Sequence, residues 1–272
     1  MNKVTDDNEA VKIATLASGS GGNSTVVAFG RDILLTDCGI SCKRITEGLK
    51  SLGIEPSDLK GVLITHEHKD HIAGLKILMK RYRLPVFATL GTLTEITRFN
   101  RDMDKSLMYK IDSGKSFRIG DVRVNSFSIP HDAAEPVGFT FEGFGKKLAV
   151  CTDIGRITDE ITENLRNSSA MVVEANHDVR MLEAGAYPYS LKRRILSDIG
   201  HLSNENSGKL ISEVWHEGLK HIFLGHLSSE NNLPELAKQT VKCELMERNI
   251  EYESITVIET AKKDAPSEMI SV

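Results

Sequence analysis

The chain has 272 residues, 40% of them hydrophobic and 26% charged, and a formal net charge of −4. This is the composition of a globular protein with a large core, and the sequence contains no apolar run of the roughly 18 residues that a membrane-spanning helix needs. The negative charge argues against a protein that coats nucleic acid nonspecifically, although it leaves room for a local basic groove.

Residues 1–10 are polar and acidic and lack the apolar stretch of a signal peptide, so we expect a cytoplasmic protein. Disulfide bonds are not expected in that reducing compartment. Cys38 and Cys42 form one C-x3-C pair without a second pair, which is a weak zinc signal, and we interpret them as small buried thiols.

Short strands and helices alternate along the chain. Apolar runs bounded by turn residues predict strands at 13–17, 25–29, 33–36, 61–65, 117–129 (a hairpin), 137–142, 146–152, 171–174, 221–224 and 255–258. Apolar residues at helical spacing predict helices at 41–52, 72–82, 210–215 and 236–246. No linker or repeat divides the chain, so we predict one α/β layered domain over 11–260, with polar termini at 1–10 and 261–272.

The most informative stretch is the histidine cluster at 65–71, which directly follows the apolar run at 62–64. His66 and His68 are two residues apart and point the same way from extended backbone. Asp70 and His71 come after the chain has turned, so they can face a second metal ion beside the first. Histidine and aspartate are usual zinc ligands, and a strand end can hold them rigidly.

Other apolar strands also end on a candidate ligand. His131 follows the run at 127–130, Asp153 the run at 148–152, His226 the run at 222–225 and Asp37 the run at 34–36. Taken alone, His131 could be a surface residue, and Asp153 and His226 could belong to turns or helix caps. Strands that share a sheet edge would instead bring these side chains to the histidine cluster.

The count of ligands predicts two divalent ions. His66, His68 and His131 can hold one, while Asp70, His71 and His226 can hold the other, and Asp153 can bridge both. Two such ions share and acidify a water molecule, which gives hydroxide near neutral pH. The set lacks cysteine, so it accepts zinc, manganese or iron. Asp37 could hydrogen-bond to a ligand histidine and fix its tautomer, or it could be a turn carboxylate.

On the basis of these residues, the chain resembles the metallo-β-lactamase-fold hydrolases over about 12–260. The match rests on the motif at 66–71 and on His131, Asp153 and His226 in the same order. The resemblance implies a four-layer αββα sandwich with a dinuclear site at one edge of its sheets. Within the superfamily the chain is most similar to the YycJ/WalJ type, on the stretches 17–24, 152–155, 174–178, 200–204 and 224–228. Ala175 replaces the serine expected before Asn-His-Asp. That type is associated with 5′→3′ exonuclease activity on DNA.

Several further residues are candidates for the site. The loop at 18–24, with three glycines and three serines, could expose N–H groups to a phosphate or could simply be a tight turn. His201 could protonate a leaving alkoxide or help to cap the following helix. Asp70 and His201 are therefore our predicted catalytic residues. Asn176, His177 and Asp178 are candidates for supporting or substrate-binding roles.

The best basic patch is Lys192, Arg193 and Arg194, with Tyr187 and Tyr189 beside it as platforms for bases. A solvated helix start is the alternative interpretation. Together these features predict a dinuclear metal-dependent phosphodiester hydrolase that acts on DNA as an exonuclease. A thioester or lactone hydrolase of the same fold, or a nonhydrolytic metal-binding regulator, are the alternatives. The sequence leaves the oligomeric state open.

Overall fold

The computed structural model describes residues 9–272. The predicted polar segment 1–10 therefore lies almost wholly outside the described residues. Two seven-stranded sheets form the centre of the fold. The first sheet contains β1 (Val11–Ala17), β2 (Ser24–Phe29), β3 (Asp32–Thr36), β4 (Leu59–Leu63), β5 (Val86–Thr89), β6 (Met108–Ile111) and, from the far end of the chain, β14 (Ile270–Ser271). Its spatial order is β14-β1-β2-β3-β4-β5-β6.

The second sheet is built from the later half of the chain. Its strands are β7 (Ser116–Ile119), β8 (Val122–Ser128), β9 (Val137–Gly143), β10 (Lys146–Cys151), β11 (Ala170–Glu174), β12 (His221–Gly225) and β13 (Val257–Thr260). Their spatial order is β13-β12-β11-β10-β9-β8-β7. Both sheets are mixed, since β3 to β6 pair in parallel, as do β10 to β13, while the remaining pairs are antiparallel.

Nine α-helices connect these strands within the described residues. They are α1 (Cys42–Ser51), α2 (Lys69–Ile72), α3 (Leu75–Tyr82), α4 (Leu90–Phe99), α5 (Asp159–Leu165), α6 (Val179–Ala184), α7 (Tyr189–Ile195), α8 (Asn204–Val214) and α9 (Pro234–Glu247). None of the helices in residues 9–272 has the length and apolar character to cross a membrane.

Three apolar layers hold the elements together. One lies between the first sheet and α1, α3 and α4, and another between the second sheet and α5, α8 and α9. The third lies between the two sheets, where Phe29, Phe139 and Phe223 are essentially inaccessible to solvent. Helix, sheet, sheet and helix thus form the four layers, and the expected αββα sandwich is confirmed.

Most predicted elements are present with small shifts at their ends, but the helix predicted at 72–82 is divided. Its break falls at Gly74, whose N–H donates to the carbonyl of Cys38 at 2.7 Å. A side chain there would collide with the carbonyl of Ile40, since an added Cβ would lie 2.2 Å from its oxygen. The close approach of the loop that precedes α1 therefore interrupts the helix.

The segment from residue 262 onward differs from the expected polar tail. Ile270 pairs with Ile13 across the edge of the first sheet, and Ser267 is buried. The amide of Ser267 donates to the carbonyl of Thr15 at 2.8 Å. The C-terminal segment thus belongs to the sandwich. The cysteines are unpaired, and Cys38 and Cys42 are buried as expected.

The layer between the sheets contributes strongly to stability because it contains large, fully buried side chains. We predict that Phe223→Ala lowers the free energy of unfolding by about 3–5 kcal/mol, since it removes a fully buried ring and leaves a cavity. Phe99→Ala, at a position 73% exposed, should change it by less than about 0.5 kcal/mol. Denaturant unfolding of both variants measures this, and equal losses would contradict the assignment of the core.

Candidate metal centre

The site lies where the carboxyl ends of strands from both sheets meet. Strands β3 and β4 supply Asp37 and the segment with His66 from the first sheet, while β10 and β12 supply Asp153 and His226 from the second. Because neighbouring parallel strands end at the same edge, residues distant in sequence become neighbours there. This is the physical origin of the pattern of strands that end on candidate ligands.

Three imidazoles form the first group of donors, His66, His68 and His131, whose ligand atoms lie within 4.8 Å of one another. Nε2 of His131 is 3.3 Å from Nδ1 of His68. The other nitrogen of His131 faces the carbonyl of Gly200 at 3.2 Å, which orients the ring. Three converging imidazoles are a ligand set that zinc and similar ions accept.

The second group contains Asp70, His71, Asp153 and His226, again with ligand atoms within 4.8 Å of one another. Oδ2 of Asp70 is 3.4 Å from Nε2 of both His71 and His226. Oδ1 of Asp153 is 3.8 Å from Nε2 of His131, a member of the first group. Asp153 therefore lies between the two groups.

Two buried atoms in the site lack a hydrogen-bond partner among residues 9–272. They are Nε2 of His66 and Oδ2 of Asp153. The latter lies 3.3 Å from Nε2 of His71, but not in the geometry of a hydrogen bond. A buried polar atom without a partner carries a large desolvation penalty, which coordination to a cation would remove. The donor set therefore fits divalent metal ions.

The charges of the site also fit a cation. Burial opposes ionisation of Asp70, but His71 and His226 hold the pKa of its carboxyl well below its usual range. Burial likewise lowers the pKa of His226, yet Asp153, Asp70 and Glu174 together raise the pKa of this imidazole to about 10. Ionised carboxylates thus create a strongly negative field at the second group. Burial and the neighbouring His71 lower the pKa of His66, which favours the neutral imidazole that binds metal.

Asp37 supports His71 from the side away from the ligand cluster. Its Oδ2 lies 2.8 Å from Nδ1 of His71 and accepts the hydroxyl of Thr65 at 2.9 Å. Its Oδ1 accepts the backbone N–H of Thr65 at 2.9 Å. This contact fixes Nδ1 of His71 as the donor and leaves Nε2 for a metal, which is one of the two roles that the sequence predicts for Asp37.

Glu174 is a central residue that the sequence did not predict as part of the site. This fully buried carboxylate accepts hydrogen bonds from Nδ1 of His226 at 2.8 Å and of His201 at 2.9 Å. Its other oxygen accepts the backbone N–H groups of Ile154 and Leu202. Although its oxygens approach the second group of donors, all their contacts are with N–H groups, so Glu174 is placed to orient histidines. The sequence did offer one signal for Glu174, because it ends strand β11, whose other residues are all apolar.

The remaining predicted residues are divided between the site and its surroundings. Asn176 lines the cavity and donates to the carbonyl of His226 at 2.8 Å. His177 is buried against Asn176, and burial lowers the pKa of its imidazole to about 4. Asp178 caps helix α6 through the N–H of Met181. Asn23, from the glycine-rich loop, approaches Nε2 of His71 at 3.2 Å.

The predicted basic patch lies on α7, and its groups already have partners. The guanidinium of Arg194 donates two hydrogen bonds, from Nε and Nη2, to the carboxylate of Asp132. Lys192 donates to the carbonyl of Glu183 at 2.7 Å. The guanidinium of Arg193 lies 6.0 Å from the centre of the Tyr189 ring. Of the three, Arg194 reaches the wall of the cavity.

A cavity of about 230 Å³ exposes the site to solvent. Polar ligand-type groups form its floor, and part of helix α7 with the preceding loop forms an apolar wall. The lining residues are Ser20, His68, Asp70, Asp153, Asn176, Tyr187, Leu191, Arg194, Ile195, His201, His226 and Ser228. His201 is among them, with its side chain 12% exposed.

Comparison with known proteins identifies the family of this chain. Residues 33–219 match the family described as the Beta-lactamase superfamily domain. The chain is 41% identical to the exodeoxyribonuclease YycJ of Bacillus anthracis, with 86% of this chain and 89% of that protein covered. It is 38% identical to the exodeoxyribonuclease WalJ of Streptococcus pneumoniae strain D39, with 88% and 90% covered.

A solved structure supports the fold. The metallo-β-lactamase fold protein YhfI of Bacillus subtilis superposes with a TM-score of 0.70 and 15% identity, over 95% of this chain and 99% of that one. The resemblance predicted from the motifs is thus confirmed. The chain belongs to the β-lactamase superfamily, as a metal-dependent hydrolase with the metallo-β-lactamase fold.

Proposed function

We propose that this protein is a dinuclear metal-dependent exonuclease that acts on DNA. The observation that carries the proposal is the pair of donor groups on either side of Asp153 in one solvent-exposed cavity. The relatives named exodeoxyribonucleases support DNA as the substrate, since they match over nearly the whole chain. They do not favour a thioester hydrolase or a nonhydrolytic regulator.

His66, His68 and His131 would hold one ion, while Asp70, His71 and His226 would hold the other, with Asp153 bridging. Nitrogen and oxygen donors of this kind accept zinc, manganese or iron. When bound, such ions supply positive charge to a phosphoryl oxygen and acidify water near neutral pH. Two buried carboxylates support the second of these groups, Asp37 through His71 and Glu174 through His226.

His201 is the residue we assign to the leaving group. Its Nδ1 is held by Glu174 at 2.9 Å, and its ring lines the cavity. Because Nδ1 is engaged, Nε2 is the nitrogen that can deliver a proton to a departing alkoxide.

The wall of the cavity is suited to the nucleoside part of a substrate. Tyr187, Leu191 and Ile195 present aromatic and aliphatic surface beside the polar floor. An aromatic ring can stack on any base, which gives affinity without sequence preference. Arg194, positioned by Asp132, adds a cationic group to the same wall.

The direct test is an assay of metal-loaded protein on end-labelled DNA with either the 5′ or the 3′ end blocked. We expect mononucleotide release that requires a free 5′ end and stops when the metal is chelated. Zinc, manganese and iron should be compared in parallel. Turnover of a thioester panel with inert DNA would overturn the proposal.

Asp153→Asn tests the bridge. The amide is neutral and has one oxygen in place of the two that share the charge of the carboxylate. We therefore expect loss of at least one ion per chain by elemental analysis. Activity should fall by more than about 100-fold, beyond the usual effect of an outer ligand partner. A variant that retains both ions would contradict the bridging role.

Glu174→Gln tests the support of His226 and His201. The neutral amide has one acceptor oxygen instead of two, so we expect metal affinity to fall about 10- to 100-fold, as measured by competition with a chelator. Glu259→Gln is the matched control, because Glu259 accepts from His221 at 2.8 Å in a pair at the other end of β12. Equal affinity in both variants would remove Glu174 from the site.

The basic patch can be tested by changing Lys192, Arg193 and Arg194 together to Ala. Each phosphate that the protein no longer neutralises should reduce the slope of log affinity against log salt by about 0.7 for single-stranded DNA. We therefore expect the slope to decrease by up to about 2, with weaker binding at low salt, because three cationic side chains are removed. DNA binding with an unchanged salt slope would show that α7 does not contact phosphates.

A further inference from the structure

The segment at 261–264 follows β13 of the second sheet and leads toward β14 of the first. The N–H of Ala261 donates to the carbonyl of Leu224 at 2.8 Å, just before His226. The N–H of Ser18 then donates to the carbonyl of Lys262 at 3.0 Å. The C-terminal segment is therefore attached directly to the glycine-rich loop at 18–24.

The segment is also held on its other side. Arg44 on helix α1 forms an ion pair with Asp264 at 3.2 Å and approaches the carbonyl of Lys263 at 3.5 Å. Farther along, β14 pairs with β1. The backbone of Lys263 is thus fixed from both directions, so its side chain starts from a defined position.

The side chain of Lys263 lies along the glycine-rich loop. Its Cγ is 3.6 Å from the position that a Cβ would occupy on Gly19, and its Cε is 3.8 Å from the equivalent position on Gly21. Between residues 9 and 272 its ammonium group forms no hydrogen bond or ion pair. Because Gly19 and Gly21 have no side chains, the side chain of Lys263 has room to extend along the loop.

The turn beneath Lys263 offers two further donors. The N–H of Gly22 closes the turn onto the carbonyl of Gly19 at 3.0 Å. The N–H groups of Ser20 and Gly21 donate to no acceptor in the described part of the chain, and both residues are exposed. Ser20 also lines the cavity with Asp70 and His226. Successive N–H groups of a turn can form a concave anion site, and an ammonium group beside them adds positive charge.

Two of the other basic side chains near the cavity are already engaged. Arg194 is bound to Asp132, and Lys192 donates to a backbone carbonyl. A polyanion that reaches the acidic ligand cluster needs positive charge at the rim of the cavity. Lys263 lies against Gly19 and Gly21, on either side of the cavity residue Ser20, and it comes from a part of the chain remote in sequence from α7.

We propose that Lys263 and the Ser20–Gly21 turn bind a phosphate of the nucleic acid strand next to the phosphodiester that is cleaved. This inference rests on the proposed nuclease function and specifies how its substrate is held. The ammonium group pairs with the phosphate, and the two N–H groups donate to its oxygens. The subsite acts on substrate binding and not on the reacting atoms.

The test uses metal-loaded full-length protein and a single-stranded oligonucleotide of about 12 nucleotides. Lys263→Ala should raise KM roughly tenfold, the effect of removing one charge-assisted hydrogen bond, with kcat and metal content unchanged. Lys263→Glu should raise KM further, and Lys263→Arg should restore it toward the original value. Lys60→Glu is the matched control, because Lys60 is an exposed lysine near the start of β4, far from the end that leads to His66.

The outcomes separate this inference from the proposed function. If the unmodified protein digests DNA and Lys263→Ala leaves KM unchanged, the subsite is overturned while the nuclease function stands. A loss confined to kcat, or accompanied by loss of metal, would also overturn it, because Lys263 would then act through the metal centre. Unmodified protein inert on DNA would overturn the proposed function and this inference together.

Discussion

The central constraint on this fold is the burial of several carboxylates and imidazoles in one small volume. Asp37, Asp153 and Glu174 are almost inaccessible to solvent, and Asp70 is only partly exposed. Removing an ionised carboxylate from water costs several kcal/mol unless hydrogen bonds or opposite charges compensate. In this site the compensation comes from histidines, backbone N–H groups and the cations that the donor set fits. The surrounding sandwich must hold all of them in register.

The compensation is organised in two comparable halves. In the first sheet Asp37 is bonded to Thr65 and orients His71. In the second sheet Glu174 is bonded to two backbone N–H groups and orients His226. Each carboxylate lies at the end of one strand and is held by a residue that follows the neighbouring strand, Thr65 after β4 and Ile154 after β10. Errors in the relative position of the sheets would therefore appear directly as errors in the geometry of the ligands, and the buried phenylalanines between the sheets oppose such errors.

The sequence was most informative where chemistry and strand ends coincide. The cluster at 66–71 and the runs that lead to His131, Asp153 and His226 allowed both the fold and the ligand groups to be predicted. It was least informative where tertiary contacts decide. Strand β5 runs directly into α4 without a turn residue, so neither was recognised. The roles of Glu174 and of the C-terminal segment depend on partners 20 or more residues away, and neither periodicity nor composition records such partners.

Three residues of the site share an unusual backbone conformation. Asp37, Asp153 and His226 have φ angles of 61°, 63° and 55°. Most residues with a side chain avoid this left-handed region, but aspartate, asparagine and histidine enter it more readily than others. The same residue types thus satisfy the backbone and the metal chemistry at once. Glutamate and cysteine, although competent as ligands, would fit this left-handed backbone less well. Exchange of ligands during divergence should therefore concentrate at positions such as His68 and His131, where the chain is not left-handed.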